Sequence, residues 1–324
     1  MDIYVKKAII HQFSPDDTDL YLADKFLNIT PKIEEYLRKK IERVYSDEAK
    51  TGIFEEDNPF LEMVSDDLLE TSVAVANRWK EEFIVSENQK TNDLVFIQFS
   101  KEGVDHFAFL RIVLRETLTH LGGDVDNPIK LTQNNLPGFG TGADEALVIN
   151  LQSCKYHLIE KRIKYNGTFL NYFSENLLQA QPKISPKKSI KALEKTAQRI
   201  AESFNTDDFQ FQSKVKSAIF NHIEEENKLS PEKLADDLFD DNLTARLSFI
   251  DQVKEAIPEP VTFEEIDASR QLKKFENQKL SLSNGIELIV PNSVYEDAES
   301  VEFILNDNGT YSILIKNIED IQSK

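Results

Sequence analysis

Val95-Phe96-Ile97-Gln98-Phe99-Ser100-Lys101-Glu102-Gly103-Val104-Asp105-His106-Phe107-Ala108-Phe109-Leu110-Arg111-Ile112-Val113-Leu114 is the stretch that decides the fold class. Val95, Ile97 and Phe99 alternate with their neighbours, the period of two that marks a strand. Lys101-Glu102-Gly103 breaks that pattern and the apolar run His106 to Leu114 follows, which together predict a β-hairpin. Working outward, Ala146-Leu147-Val148-Ile149-Asn150-Leu151 reads as another strand. Upstream, Ala8-Ile9-Ile10-His11-Gln12-Phe13 and Leu20-Tyr21-Leu22 read as short strands parted by the turn formers Ser14-Pro15-Asp16-Asp17. Between them and the hairpin lies one helix. Thr30 is its N-cap, Pro31 takes the first helical position, and Ile33, Leu37, Ile41 and Val44 recur on one face.

The pattern changes at Gln181-Pro182-Lys183-Ile184-Ser185-Pro186, where two prolines stand among few apolar residues. Beyond it Ile190, Leu193, Ala197, Ile200 and Phe204 recur at helical spacing, with Ser185-Pro186 as the start signal. Phe211, Val215, Ile219 and Ile223 predict a second helix, Ser230-Pro231-Glu232 opens a third, and Leu243 to Ile257 forms a fourth, stopped by Pro258 and Pro260. Asn284-Gly285 sits between the alternating pairs Leu280, Leu282 and Ile286, Leu288, Val290, a strong hairpin signal. Val301, Phe303 and Leu305 are mirrored by Tyr311, Ile313 and Ile315 across a second turn. The expected class is α+β. A mixed α/β domain over residues 1–181 precedes a second domain over 187–324, helical and then built of β-hairpins.

Bulk properties narrow the function. No stretch approaches the roughly 18 apolar residues of a membrane helix, and Met1-Asp2-Ile3-Tyr4-Val5-Lys6 lacks the features of a signal peptide. The lone Cys154 can form no internal disulfide. A cytoplasmic protein is expected. The net charge is −19, so a uniformly acidic surface would be repelled by nucleic acid, and any positive charge must be segregated. It is: Lys155 to Arg199 holds ten basic residues against three acids, a block of +7. Asp47 to Glu70, by contrast, holds nine acids against Lys50 alone, and a second acidic stretch runs from Glu224 to Asp241.

Catalytic motifs are not apparent. The glycine-rich run Leu136-Pro137-Gly138-Phe139-Gly140-Thr141-Gly142 lacks the lysine of a phosphate loop and leads into a strand, so a flexible surface loop competes with a mobile binding loop. His11, His106, His120, His157 and His222 are scattered, without the converging spacing of metal ligands. Neither a Gly-x-Ser-x-Gly elbow nor a Cys–His pairing marks a nucleophile. No catalytic residue, cofactor or metal is therefore expected, and the chain reads as non-enzymatic. The best local signal is the basic block. Lys187, Lys191, Lys195 and Arg199 fall at successive i, i+4 positions, so on a helix they form one ridge that meets phosphates without reading bases. Lys161, Arg162, Lys164 and Lys188 complete the candidate nucleic-acid-binding set. The competing reading is an ordinary solvated face, paired with the acids of 224–241.

Ile9-Ile10-His11-Gln12 in the opening strand, the helix end Arg43-Val44-Tyr45 followed by Lys50-Thr51-Gly52-Ile53-Phe54, the strand after Ala143-Asp144, the segment from Lys161 through Gly167 to Phe173, and the hairpin around Gly285 resemble, in that order, the bacterial 37-kilodalton nucleoid-associated protein family. The resemblance implies a bacterial protein located with the nucleoid, binding nucleic acid (DNA, with RNA a further candidate) and without known catalysis. It carries over no contact residues. The chain departs from that expectation in being acidic and in ending at Asp320-Ile321-Gln322-Ser323-Lys324 without a basic tail. The alternative is an acidic adaptor that reaches the nucleoid by binding a DNA-handling protein. A homodimer, through unpaired C-terminal hairpin edges, is a further candidate partner state.

Overall fold

The computed structural model describes residues 2–16, 18–87, 89–120, 129–165, 167–205, 209–263 and 265–322. Asp17 of the expected turn, Asn166 of the Lys161–Phe173 segment and Ser323-Lys324 of the tail lie outside them. The chain forms two compact units, Met1–Ser185 and Pro186–Lys324.

The first unit begins with β1 (Ile3–Ser14), β2 (Asp19–Tyr21), α1 (Pro31–Glu42), β3 (Lys50–Ile53), the single turn α2 (Pro59–Glu62) and α3 (Leu68–Phe83). The hairpin strands β4 (Asn92–Lys101) and β5 (Val104–Val113) follow, then a ribbon of β6 (Arg115–His120) and β7 (Ile129–Asn135). The unit continues through β8 (Glu145–Asn150), β9 (Lys155–Ile159) and a small hairpin of β10 (Ile163–Tyr165) and β11 (Thr168–Leu170). Seven strands make one antiparallel sheet in the order β2-β1-β4-β5-β8-β9-β3.

The β4–β5 turn shows why the sequence signal was strong. Lys101 pairs with Val104, leaving Glu102-Gly103 as a two-residue loop at φ 54° and 83°. Positive φ at both positions is what a type I′ turn needs, and its twist matches that of the flanking strands. Both faces of the sheet are covered, which is why these antiparallel strands read as nearly continuous apolar runs. Val95, Ile97, Phe99, Ala108, Leu110, Ala146 and Val148 pack with Leu37 and Ile41 of α1. Phe96, Phe107, Phe109, Leu147 and Ile149 face the other way, onto Val75, Trp79 and Phe83 of α3. Helix α3 was not anticipated. Its N-cap Asp67, accepting from Leu69 N at 2.9 Å, lies inside the run that reads only as an acidic cluster.

His11 is buried on β1 against α3. Its Nδ1 accepts from Ala23 N at 3.0 Å, so Nε2 carries the hydrogen and donates to Ser72 Oγ at 3.0 Å. Burial pushes its pKa from 6.5 down to about 4. Between those values the unfolded chain binds the proton and the folded chain does not, so stability held above pH 6.5 is lost as the pH falls toward 4. Urea unfolding near pH 7 and near pH 4.5 should show a smaller acid loss in His11→Gln than in the natural chain. Equal losses would remove His11 as a source of acid sensitivity.

The second unit opens with α4 (Pro186–Ser203) and α5 (Phe209–Glu226), then β12 (Lys228–Leu229), α6 (Pro231–Leu238), α7 (Leu243–Ala256), β13 (Val261–Thr262) and α8 (Ser269–Phe275). Their shared core contains Ile190, Leu193, Ala197, Ile200, Val215, Ile219, Leu234, Phe249 and Phe275. Two hairpins complete it: β14 (Asn277–Ser281) with β15 (Glu287–Pro291), and, after the turn α9 (Asn292–Tyr295), β16 (Val301–Leu305) with β17 (Tyr311–Ile315). Leu282 and Ile286, expected within strands, instead close a three-residue loop. Leu282 N donates to Ile286 O at 2.8 Å, and Gly285 takes φ 85°, where a side chain is unfavourable. Phe303 pairs with Ile313 and Leu305 with Tyr311, the mirrored register expected from the alternation. The whole is α+β.

Candidate nucleic-acid interface

The eight basic candidates divide between the units: Lys161, Arg162 and Lys164 on the first, and Lys187, Lys188, Lys191, Lys195 and Arg199 on α4 of the second. On α4 the apolar residues Ile190, Leu193, Ala197 and Ile200 are buried, and all five cations are exposed on the rest of the helix surface. From Lys187 to Arg199 the ridge is roughly 18 Å long at about 1.5 Å rise per residue, the length of about five phosphates along one strand of duplex.

What neutralises each cation separates the two groups. Lys161 is paired with Asp144 at 2.9 Å and Lys164 with Glu87 at 2.7 Å, while Arg162 donates to the Phe169 carbonyl at 3.1 Å. The Lys164 ammonium holds the Glu87 carboxyl below its ordinary range. On α4, Lys188, Lys191 and Lys195 have no side-chain partner among the described residues, and Arg199 is hydrogen-bonded to the neutral Gln252. Five acids of the 224–241 stretch are engaged elsewhere. Glu226 pairs with Lys233, Glu232 with Lys254, Asp236 with Arg246, Asp237 with His222 and Asp240 with Lys214. Glu194, on α4 itself, faces Lys274 at 3.5 Å.

The glycine-rich loop has a different role from a phosphate cradle. It presents carbonyl oxygens inward: Lys40 of α1 donates to Gly138 O at 2.9 Å and to Thr141 O at 2.5 Å, and its ammonium lies 4.4 Å from the centre of the Tyr36 ring. Lys40 is fully buried, and that burial pushes its pKa down to about 8. Oxygen atoms turned toward a cation cannot also receive an anion, so the loop is an anchored surface segment. Gly52 is required for another reason. A Cβ there would lie 2.4 Å from Cζ of Tyr156, whose buried ring packs 4.4 Å from that of Phe54. Among the described residues no group of three or more His, Cys, Asp or Glu could hold a metal ion, and no helix is long and apolar enough to cross a membrane.

Nothing in the sequence marked Lys90, Arg115 or Phe169, which the strand order brings to one end of the sheet beside Lys161, Arg162 and Lys164. They are far apart along the chain and share no motif. No curated protein matches the chain. The model of one family, described as nucleoid-associated protein YejK, matches residues 9–321. That span takes in both units and nearly all of the 324 residues, so the chain belongs to the nucleoid-associated protein YejK family.

Proposed function

We propose that the chain is a non-catalytic protein of the nucleoid that binds the backbone of duplex DNA through the exposed ridge of α4. The observation that carries this reading is that Lys188, Lys191 and Lys195 have no acidic partner among the described residues, in a chain of net charge −19. Where acids outnumber bases so heavily, an unneutralised row of lysines is conspicuous, and Glu226 of α5, Glu232 of α6 and Asp240 of the turn after it are paired with other cations. A row of ammonium groups on a helix contacts phosphates one by one, releasing counterions and holding position without selecting bases. Affinity should therefore fall steeply as salt rises and depend little on sequence. Anisotropy of a labelled duplex, titrated with the purified chain from about 50 mM salt upward, measures this. Absence of binding at the low end would refute it.

A second reading rests on a different surface. Glu55, Glu56, Asp57, Glu62, Asp66 and Glu70 are exposed and form no salt bridge among the described residues. That face suits a basic surface on a DNA-handling protein. It becomes the preferred account if the duplex titration is flat.

A further inference from the structure

The first unit carries a second concentration of positive charge, built quite differently from α4. At the end of the sheet where β4 and β8 begin and β5 and β9 finish, the chain leaves an open cleft of about 980 Å³. Arg111, nearly buried at the end of β5, lines it. Its Nε donates to Glu145 at 2.6 Å and its Nη1 to Asn92 at 2.9 Å, which leaves Nη2 without an acceptor among the described residues. Lys90, just before β4, and Arg115, at the start of β6, are exposed cleft residues with no acidic partner among the described residues. Of the two acids that line the cleft, Asp144 is paired with a cation and Glu116 is held by a neutral amide. Asp144 accepts from Lys161 at 2.9 Å and from Val113 N at 2.9 Å, and Glu116 accepts from Gln133 at 3.1 Å. Two cations of the cleft, Lys90 and Arg115, are thus without an acidic partner among the described residues, against one carboxylate, Glu116, that is held only by a neutral amide.

An aromatic ring completes the arrangement. Phe169 is 57 % exposed at the cleft, where burial would be the ordinary fate of its side chain. The β10–β11 hairpin holds it there: Lys164 pairs with Phe169 across the ladder, and Arg162 grips its carbonyl. Cations along a groove with an exposed ring beside them suit one kind of ligand. Single strands offer both a phosphate chain and unpaired base faces that stack on aromatic rings, whereas a duplex keeps its base faces covered.

We propose that this cleft binds single-stranded nucleic acid, with Lys90 and Arg115 on the phosphates and Phe169 under a base. The proposal goes beyond the duplex reading, which rests on α4 in the other unit. The probe is a short fluorescent oligothymidylate, followed by anisotropy against the full chain. Phe169→Ala should weaken binding roughly tenfold or more, the usual cost of losing one stacking platform. Lys90→Gln combined with Arg115→Gln should lower the salt slope by about 1 to 2, at roughly 0.7 per phosphate on a single strand. All three positions are exposed, so the fold survives, and circular dichroism checks that it does. Lys191→Gln with Lys195→Gln should weaken oligothymidylate binding less than Phe169→Ala does. The proposal is overturned if the natural chain does not bind the oligomer near 50 mM salt, if Phe169→Ala and the Lys90/Arg115 variant both bind it as tightly as the natural chain, or if only the α4 variant loses it. Binding of the oligomer without binding of duplex would sink the duplex reading and leave this one standing; the converse result would do the reverse.

Discussion

Arg111→Met will destabilise the N-terminal unit by about 3–5 kcal/mol, the usual cost of removing one partner of a buried ion pair. The reason lies in what remains. Glu145 is fully buried on β8, and its Oε2 accepts both from Arg111 Nε at 2.6 Å and from the Tyr172 hydroxyl. Burial by itself would lower the pKa of Arg111, but the Glu145 carboxylate outweighs that and holds it above its ordinary value. Oε1 of Glu145 already lacks a hydrogen-bond partner among the described residues, so the carboxylate has little to fall back on once the guanidinium is gone. Removing both charges is a different matter, because no uncompensated ion is left behind. Arg111→Met combined with Glu145→Leu should recover most of the loss. Urea midpoints of the single and double variants test this directly. A single variant within about 1 kcal/mol of the natural chain would mean that the pair is solvated or dispensable.

Trp79→Ala should cost a comparable amount, about 3–5 kcal/mol for a large buried aromatic. The indole is fully buried on α3, stacked on Phe83 at 4.4 Å and edge-on to Phe13 at 5.5 Å. Its Nε1 also donates to Tyr172 Oη at 3.0 Å, the same hydroxyl that donates to Glu145. Trp79, Tyr172, Glu145, Arg111 and Asn92 are thus one hydrogen-bonded chain running from helix to sheet. Trp79→Phe keeps most of the apolar volume and loses the N–H, so its loss should be clearly smaller than that of Trp79→Ala. If the two variants lose equal stability, the hydrogen bond rather than the packing dominates. If Trp79→Ala loses less than about 1 kcal/mol, the core placement of Trp79 is wrong.

Local chemistry was legible in the sequence wherever one short segment contained the whole cause. Glu102-Gly103 specifies its own turn, Thr30-Pro31 its own helix start, and Ile190 to Ile200 its own buried stripe. Helix α3 was hidden because Asp67 and Glu70, a capping residue and a first-turn acid, look the same in sequence as members of a solvated acidic cluster. The basic block from 155 to 199 was visible as a count, yet a count does not say which charges are spent. Lys161 is neutralised by Asp144 and Lys164 by Glu87, partners 17 and 77 residues away that only the fold brings near. The cleft was invisible for the same reason. Lys90, Arg111 and Arg115 meet because the antiparallel strands β4, β5, β8 and β9 begin or finish at one end of the sheet, and the separate β10–β11 hairpin brings Phe169 beside them.

The most direct test of the central claim is the slope of log affinity for duplex DNA against log salt, compared between the natural chain and Lys191→Gln/Lys195→Gln/Arg199→Gln. Each phosphate contact contributes about 0.9 to that slope, so losing three should lower it by roughly 2 to 3. Sequence preference should hardly move, because phosphate contacts carry no base information. The helix should persist, since glutamine retains good helix propensity and all three positions are exposed. A folded triple variant with a slope lower by roughly 2 to 3 is the predicted result. A folded triple variant that binds duplex with the slope of the natural chain would contradict the account and reduce the α4 ridge to a solvated face.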